Sequence, residues 1–474
     1  MQIYNPNLSQ AYSSQLNETT LDELSIIGKV PEWLSGYFIS NGPAQFETKT
    51  IHFNHWFDGF AMLKKFHFQS GKISFQNRFL RSQQYMANYE FNRLNSNEFA
   101  TYADSSFLDR IKRSIKRLIK GDVYDNCNIN TIRIADHFTA MTESNTVMEF
   151  KLNDLDTVGQ FSFTDNIRGQ LSLAHPHKDI TTGEILNVTV EIGKVTKYHI
   201  YKITANSTRR EIIQTYITNK PFYMHSFSIT KNYVVLFKSP LVLNIFKLSL
   251  GLPFNDTLSW VKSKPSVFII IDRRDGSIRE VETDPFVCLH SANAYEMKNE
   301  LILDLICHDN GNPYNYLYLS NLRSDHPNLP TGILRRYKVD INAKRCSYTI
   351  LSTANQEFPR VNYKAINGRS YQFIYTNLID SPEQKYFNAI QKLNVHTGKI
   401  QCWKKINYYP GEPVFVGKPE GKSEDDGAIL SIVFNASNQN SSLIILDANT
   451  MQQIAEAPVP FHLPFGLHGN FYRC

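Results

Sequence analysis

The feature that most constrains this chain is a recurrence of short β-branched and aromatic runs separated by polar tips that contain glycine. Runs at residues 267–271, 301–306, 428–434 and 442–446 are too short for a globular helix and are bounded by turn residues, so they predict strands. The tips repeat one chemistry. Gln69-Ser70-Gly71-Lys72, Thr181-Thr182-Gly183-Glu184, Arg274-Asp275-Gly276-Ser277 and His396-Thr397-Gly398-Lys399 each precede a strand start. Glycine there supplies the positive φ that tight hairpins need. Looser versions occur at 155–159 and 446–450. Many short strands joined by hairpins mean a sandwich, a barrel or a propeller, and length chooses among them. For 474 residues one sandwich or barrel is oversized, whereas seven four-stranded blades at roughly 65–70 residues each take up the whole chain. Self-similarity is weak, so the blade count rests on length. The expectation is an all-β, seven-bladed β-propeller spanning residues 1–474 as one domain, with residues 1–25 as an extension packed on it or partly flexible. The clearest helical pattern covers residues 105–120, and no linker divides the chain.

The net charge of +6 reads as a solubility charge or as attraction to an anionic membrane surface. Basic residues are scattered except at 106–120, which argues against nucleic-acid binding. The six cysteines, Cys127, Cys288, Cys307, Cys346, Cys402 and Cys474, form no C-x-x-C pair and read as reduced thiols of a cytosolic protein. The first residues lack a basic segment followed by an apolar one, so no secretory signal is visible. The most apolar stretch, 233–254, is interrupted by Lys238, Pro240 and Lys247, and a spanning helix needs about 18 uncharged apolar residues. A cytoplasmic protein that does not cross the membrane is expected.

Four of the 14 histidines stand in apolar or aromatic surroundings in four distant segments. They are His175 in Leu173-Ala174-His175-Pro176-His177, His225 in Phe222-Tyr223-Met224-His225, His290 in Cys288-Leu289-His290 and His468 in Phe465-Gly466-Leu467-His468. A buried imidazole is costly unless its nitrogens are engaged, and inner propeller strands converge at the axis. Such an all-imidazole site would suit Zn, Cu, Fe or Ni, and residue context alone does not choose among them. Ligating imidazoles usually pass their second N–H to a carboxylate or carbonyl. Glu143, Glu357 and Glu412, each beside apolar residues, are the candidate partners.

These segments resemble the carotenoid cleavage oxygenases from about Val30 to the C-terminus. The resemblance rests on Val30-Pro31-Glu32-Trp33-Leu34-Ser35-Gly36, Asn41-Gly42-Pro43, His55-Trp56-Phe57-Asp58-Gly59, Asp125-Asn126-Cys127-Asn128, Ala174-His175-Pro176-His177, Gly411-Glu412-Pro413-Val414, Glu424-Asp425-Asp426-Gly427 and Phe465-Gly466-Leu467-His468-Gly469. Their order and spacing together are specific. Arg78-Phe79-Leu80-Arg81-Ser82 and Asn97-Glu98-Phe99-Ala100-Thr101 look most like the animal-type branch of β-carotene oxygenases and the retinal-pigment-epithelium isomerohydrolase. The resemblance implies a seven-bladed propeller with a small helical and loop cap over the metal. It implies one Fe(2+) per chain on His175, His225, His290 and His468, with Glu143, Glu357 and Glu412 behind the imidazoles. His55, His177 and His308 read as non-ligands. The implied activity is a dioxygenase that uses O2 to cleave a C=C bond of a carotenoid or apocarotenoid to aldehydes, with a lean towards central (15,15′) cleavage to retinal. No catalytic residue beyond the iron centre is implied.

A carotenoid resides in a bilayer, so a docking surface is expected. Leu108, Ile111, Ile115, Leu118 and Ile119 fall at helical spacing, with Phe107 before them and basic residues around them, the pattern of an interfacial helix. Leu243, Ile245 and Phe246 form a second apolar stretch. The protein is therefore expected at the membrane periphery, in an oligomeric state the sequence leaves open. Two other readings stay open: cleavage of a stilbene or phenylpropenoid by the same chemistry, and a non-catalytic propeller that binds lipid or protein.

Overall fold

One hairpin tip recurs around the molecule. Asp179, Asp272, Asn394 and Asp447 each accept backbone N–H groups of the next residues on Oδ1, for example Thr181 N–H at 2.8 Å and Thr450 N–H at 2.8 Å. Each main-chain carbonyl then accepts the N–H four residues on, from Gly183, Gly276, Gly398 and Met451. That last position is left-handed in all four, with φ of 75°, 72°, 71° and 61°, which explains glycine at three of them. The aspartate or asparagine makes the tip as much as the glycine does.

The computed structural model describes residues 8–94, 96–103, 105–120 and 124–473, with side chains of 117–120 left aside. The strands between the tips form seven blades. The first orders His468–Tyr472, Gly36–Gln45, Phe60–Gln69, Lys72–Phe79 and Thr20–Leu21 from the axis outwards. The C-terminal strand pairs antiparallel with Gly36–Gln45, His468 facing Asn41 and Tyr472 facing Tyr37, and so closes the ring. The inner strands of the next blades are Asn130–Ile134, the pair Leu171–Ser172 and His177–Lys178, Phe227–Ile229, Val287–Met297 and Gln356–Arg360. In the seventh blade, Tyr408–Pro410 and Val414–Gly417 share this position, and Ile27–Gly28 supplies the outer edge. The expected strand runs lie within Ser266–Asp272, Glu300–His308, Gly427–Asn435 and Asn440–Asp447. Every residue of Ser266–Asp272 is buried. A strand covered on both faces reads as a continuous apolar run rather than an alternating one. Ahead of the first blade, Leu8, Ala11 and Tyr12 are buried in the core beside the metal-side face.

Three helices cap the propeller. Helix α1, Gln83–Phe91, was not foreseen. The Ser82 hydroxyl accepts from Tyr85 N–H and Asn92 ends it with φ 49°, the expected caps. Its buried side chains are Gln84, Tyr85, Ala87 and Asn88, so no apolar stripe announces it. Helix α2, Phe107–Lys120, lies where helical spacing placed one. It packs beside α3, Ile245–Ser249. Gly251 allows that approach: its φ is +75°, and a Cβ there would sit 2.9 Å from the Arg110 backbone. A two-stranded ribbon, Leu241–Leu243 with Leu258–Trp260, carries α3.

The ribbon corrects one expectation. Leu243 is 3% exposed and belongs to the core, so it is unavailable to a membrane surface; pairing with Leu258 turns it inwards. Ile245 is half-buried against the same core. Phe107, Leu108, Ile115 and Phe246 are exposed and Ile111 is half-buried. The side chains of Leu118 and Ile119 lie outside the described residues. Among the described residues, no helix is long and apolar enough to cross a membrane.

Candidate metal centre

Four inner strands deliver one imidazole each to the axis. His175 sits in the turn between Leu171–Ser172 and His177–Lys178, and its neighbour Ala174 is tied through its carbonyl to the Asn130 amide at 2.9 Å. His225 enters just before Phe227–Ile229, where the Tyr198 hydroxyl donates to the Phe222 carbonyl at 2.6 Å and accepts from Phe222 N–H at 2.9 Å. His290 lies on Val287–Met297 at a register shift between Cys288 and Ser291. Such a bulge re-aims a side chain. His468 opens the closing strand, with its N–H on the Ile129 carbonyl.

The four imidazoles meet. Their ligand nitrogens all lie within 4.8 Å of one another. His175 Nε2 is 3.0 Å from His225 Nε2, and His290 Nε2 is 3.2 Å from His468 Nε2. Behind three of the rings stand the three glutamates. Glu143 Oε1 is 2.5 Å from His225 Nδ1, Glu357 Oε2 is 2.6 Å from His290 Nδ1, and Glu412 Oε1 is 2.8 Å from His468 Nδ1. Each carboxylate fixes the proton on Nδ1, so the Nε2 lone pairs face one another across the axis. His175 has no carboxylate partner among the described residues.

Charge follows from burial. Burial, and then the three neighbouring imidazoles, push His175 far below the usual histidine range. Burial lowers His290 to about 4, although Glu357 pulls the other way. Burial by itself would raise Glu357, but His290 and His308 hold it well below the usual carboxylate range. Burial of Glu412 is likewise outweighed by Arg360, His468 and the Gly469 N–H. The site thus combines converging lone pairs with buried negative charge, which repel unless a cation stands between them. Metal–imidazole bonds of about 2.1 Å at right angles separate neighbouring nitrogens by about 3.0 Å, as in the two close pairs. The donor set fits a metal ion, and imidazole nitrogen suits Fe as well as Zn, Cu and Ni.

Several contributors carry no signal in the sequence. The Tyr223 hydroxyl donates to Glu143 at 2.6 Å and meets the Tyr314 hydroxyl at 2.7 Å. His308 Nε2 donates to the second oxygen of Glu357 at 2.8 Å, so His308 stands outside the group of four but braces it. Arg360 Nε lies 3.4 Å from Glu412. Phe358, which lines a cavity beside the cluster together with Glu357, has φ 56°, a strained value for an aromatic residue. His177 contacts the Phe227 carbonyl and the Tyr363 hydroxyl, and His55 contacts the Tyr314 carbonyl and caps the turn at Trp56–Asp58. Neither belongs to the cluster.

Two cavities flank the cluster. One is lined by His225, His290 and His468 together with Trp56, Phe358 and Leu467. The other, larger one starts at Glu143 and Tyr223 and reaches Leu248, Leu252, Arg110 and Arg113 at the cap helices. Phe57 and Ile129 line both. Both are lined mainly by apolar side chains, as suits an apolar molecule.

Comparison with known proteins agrees with this architecture. The chain is 29% identical to the human mitochondrial carotenoid-cleaving dioxygenase over 94% of its length and 87% of that protein's. It is 30% identical to the mouse β,β-carotene 15,15′-dioxygenase over 95% of this chain and 88% of that one. The fold matches a cobalt-substituted Synechocystis apocarotenoid oxygenase with a TM-score of 0.88 at 24% identity, covering 99% of this chain and 98% of that chain. A chimera of that oxygenase with the retinal pigment epithelial protein matches at 0.89. The model of one family, described as retinal pigment epithelial membrane protein, matches residues 12–473, and this chain belongs to that family.

Proposed function

We propose that the chain is a non-haem Fe(II) dioxygenase that cleaves one C=C bond of a carotenoid or apocarotenoid, each carbon taking one atom of O2 to give two carbonyl products. The observation that carries the reading is the four-imidazole cluster, three of whose rings line a mainly apolar cavity. His175, His225, His290 and His468 would hold the ion, and Glu143, Glu357 and Glu412 would keep three of the rings in the tautomer that ligates. A bound ferrous ion supplies the activation of O2 next to the double bond. The protein's part is to hold the ion by neutral nitrogens, to lay the polyene alongside, and to keep water out with Trp56, Phe57, Phe358 and Leu467. Cleavage requires no proton transfer to or from a side chain, so no general acid or base is assigned.

A stilbene substrate would need a lysine and a tyrosine to ionise its phenol. Among the described residues no lysine lines either cavity, which favours a carotenoid. The mouse relative's name makes central cleavage to retinal the first regiochemistry to test. Metal analysis should give one iron per chain, and aerobic incubation with β-carotene, an apocarotenal and a hydroxystilbene should give aldehydes from a carotenoid substrate. Iron-loaded protein that cleaves only the stilbene, or nothing, sinks the proposal.

The polyene must leave a bilayer to reach these cavities. Phe107, Leu108 and Ile115 on α2 and Phe246 on α3 are exposed apolar side chains, and these helices also supply the outer lining of the larger cavity. Such a cluster ringed by arginine and lysine suits a peripheral membrane contact. A double variant with Leu108→Glu and Ile115→Glu, both at exposed positions, is expected to lose co-sedimentation with anionic vesicles while retaining its fold. Unchanged sedimentation would remove this role for α2.

A further inference from the structure

Tyr12 comes from the segment ahead of the first blade, yet its side chain lines the cavity that His225, His290 and His468 also line. Main-chain bonds hold the segment in place. Phe465 N–H donates to the Ala11 carbonyl at 3.0 Å, and Gln15 N–H donates to the Ala44 carbonyl at 2.8 Å. Arg323 donates to the Tyr12 carbonyl from Nε at 3.1 Å and from Nη2 at 2.7 Å. The Tyr12 ring meets Phe465 and Trp56 edge-on, with centroids 5.3 and 5.7 Å away, and tilts against Tyr386 at 6.3 Å. Those three rings line the same cavity.

The hydroxyl of this anchored residue has no hydrogen-bond partner among the described residues. The other two tyrosine hydroxyls on the wall are engaged: Tyr386 donates to the Leu322 carbonyl at 2.7 Å, and Tyr314 meets Tyr223 at 2.7 Å. Tyr12 is 5% exposed, and its hydroxyl is not one of the fully enclosed unpaired atoms. With the side chain on the cavity wall, that remaining surface opens on the cavity. Burial, and then Tyr386, push the phenol far above its ordinary range, so the group stays a neutral O–H donor. A buried hydroxyl without a partner is costly, and a ligand oxygen would remove the penalty. The rings of this cavity that contact the clustered imidazoles are Phe358 and Tyr314. Tyr12 stands apart from them, where the end of a bound chain would come rather than its reacting carbons.

We propose that Tyr12 is a specificity-determining residue whose hydroxyl hydrogen-bonds an oxygen on the end of the polyene that occupies this cavity, so that the cavity favours a hydroxyl- or carbonyl-bearing end over a hydrocarbon end. This rests on the polyene-cleavage reading and narrows its substrate class. A hydrocarbon end still packs on the Tyr12, Trp56 and Phe465 rings but leaves the hydroxyl unmet.

The test measures binding apart from turnover. The iron-loaded chain is titrated anaerobically with a polyene whose two end rings carry hydroxyl groups and with the same polyene lacking them. Quenching of tryptophan fluorescence reports occupancy, since Trp56 packs on Tyr12. Wild type should bind the hydroxylated polyene about 5-fold more tightly, the scale of one net hydrogen bond. Tyr12→Phe removes the oxygen alone. It should abolish the preference, bind the hydrocarbon no more weakly than wild type, and leave thermal unfolding unchanged, because the hydroxyl supports nothing in the fold. Tyr386→Phe, which loses a hydroxyl already bonded to Leu322, should keep the preference. Equal binding of the two polyenes by wild type overturns the inference and leaves cleavage standing. So does a preference that survives Tyr12→Phe, or one lost equally in Tyr386→Phe. Failure of wild type to bind either polyene overturns both readings.

Discussion

Replacing His225 with alanine is expected to strip the metal from the protein and reduce carbonyl product to the level without enzyme. His225 is 4% exposed, its Nδ1 is fixed by Glu143, and its Nε2 lies 3.0 Å from that of His175. Removing it takes away one of four nitrogens and leaves the Glu143 carboxylate facing a void. The other three rings are held from their own strands, so the propeller should persist with unchanged far-ultraviolet circular dichroism. Metal content per chain, measured after desalting, should drop from one towards zero. Glu143→Gln acts more gently, because the ring stays and loses only its ionic brace; metal affinity should weaken about 10- to 100-fold. An alanine variant that still holds one metal per chain would remove His225 from the ligand set.

The second large effect concerns stability rather than chemistry. Asp304 is 0% exposed on the second strand of the fifth blade, directly opposite Arg336. Arg336 Nε and Nη2 reach its two oxygens at 2.8 and 2.7 Å, and the Tyr371 hydroxyl of the sixth blade donates to it as well. Asp304→Ala leaves a guanidinium that is 11% exposed without its counter-charge and a phenol without its acceptor. Breaking one side of a buried pair costs about 3–5 kcal/mol. Urea unfolding is expected to show a loss of that size in unfolding free energy, read as a lower midpoint, with metal content intact in the fraction that remains folded. A loss below about 1 kcal/mol would mean that water or a rearranged neighbour satisfies Arg336. The aspartate joins two blades, so part of the loss comes from the blade interface.

The helices show where a sequence speaks and where it is silent. Helix α2 repeats apolar residues at helical spacing and was legible. Helix α1 buries Gln84 and Asn88 beside Tyr85, and its stability comes from its caps and from the surface it lands on. Leu243 looked like a neighbour of Phe246 on one apolar face, but pairing with Leu258 turned it into the core. Local spacing predicts a face only while the chain stays in one element.

By itself the sequence determined the strand repeat, the hairpin tips and the identity of the four histidines and three glutamates, because each is a local pattern or a fixed motif. Only the tertiary structure decided that the four imidazoles share one centre and that Tyr223, His308 and Arg360 brace the glutamates. These relations join strands that are tens to hundreds of residues apart, and their energies depend on burial and distance, which no single stretch of chain contains.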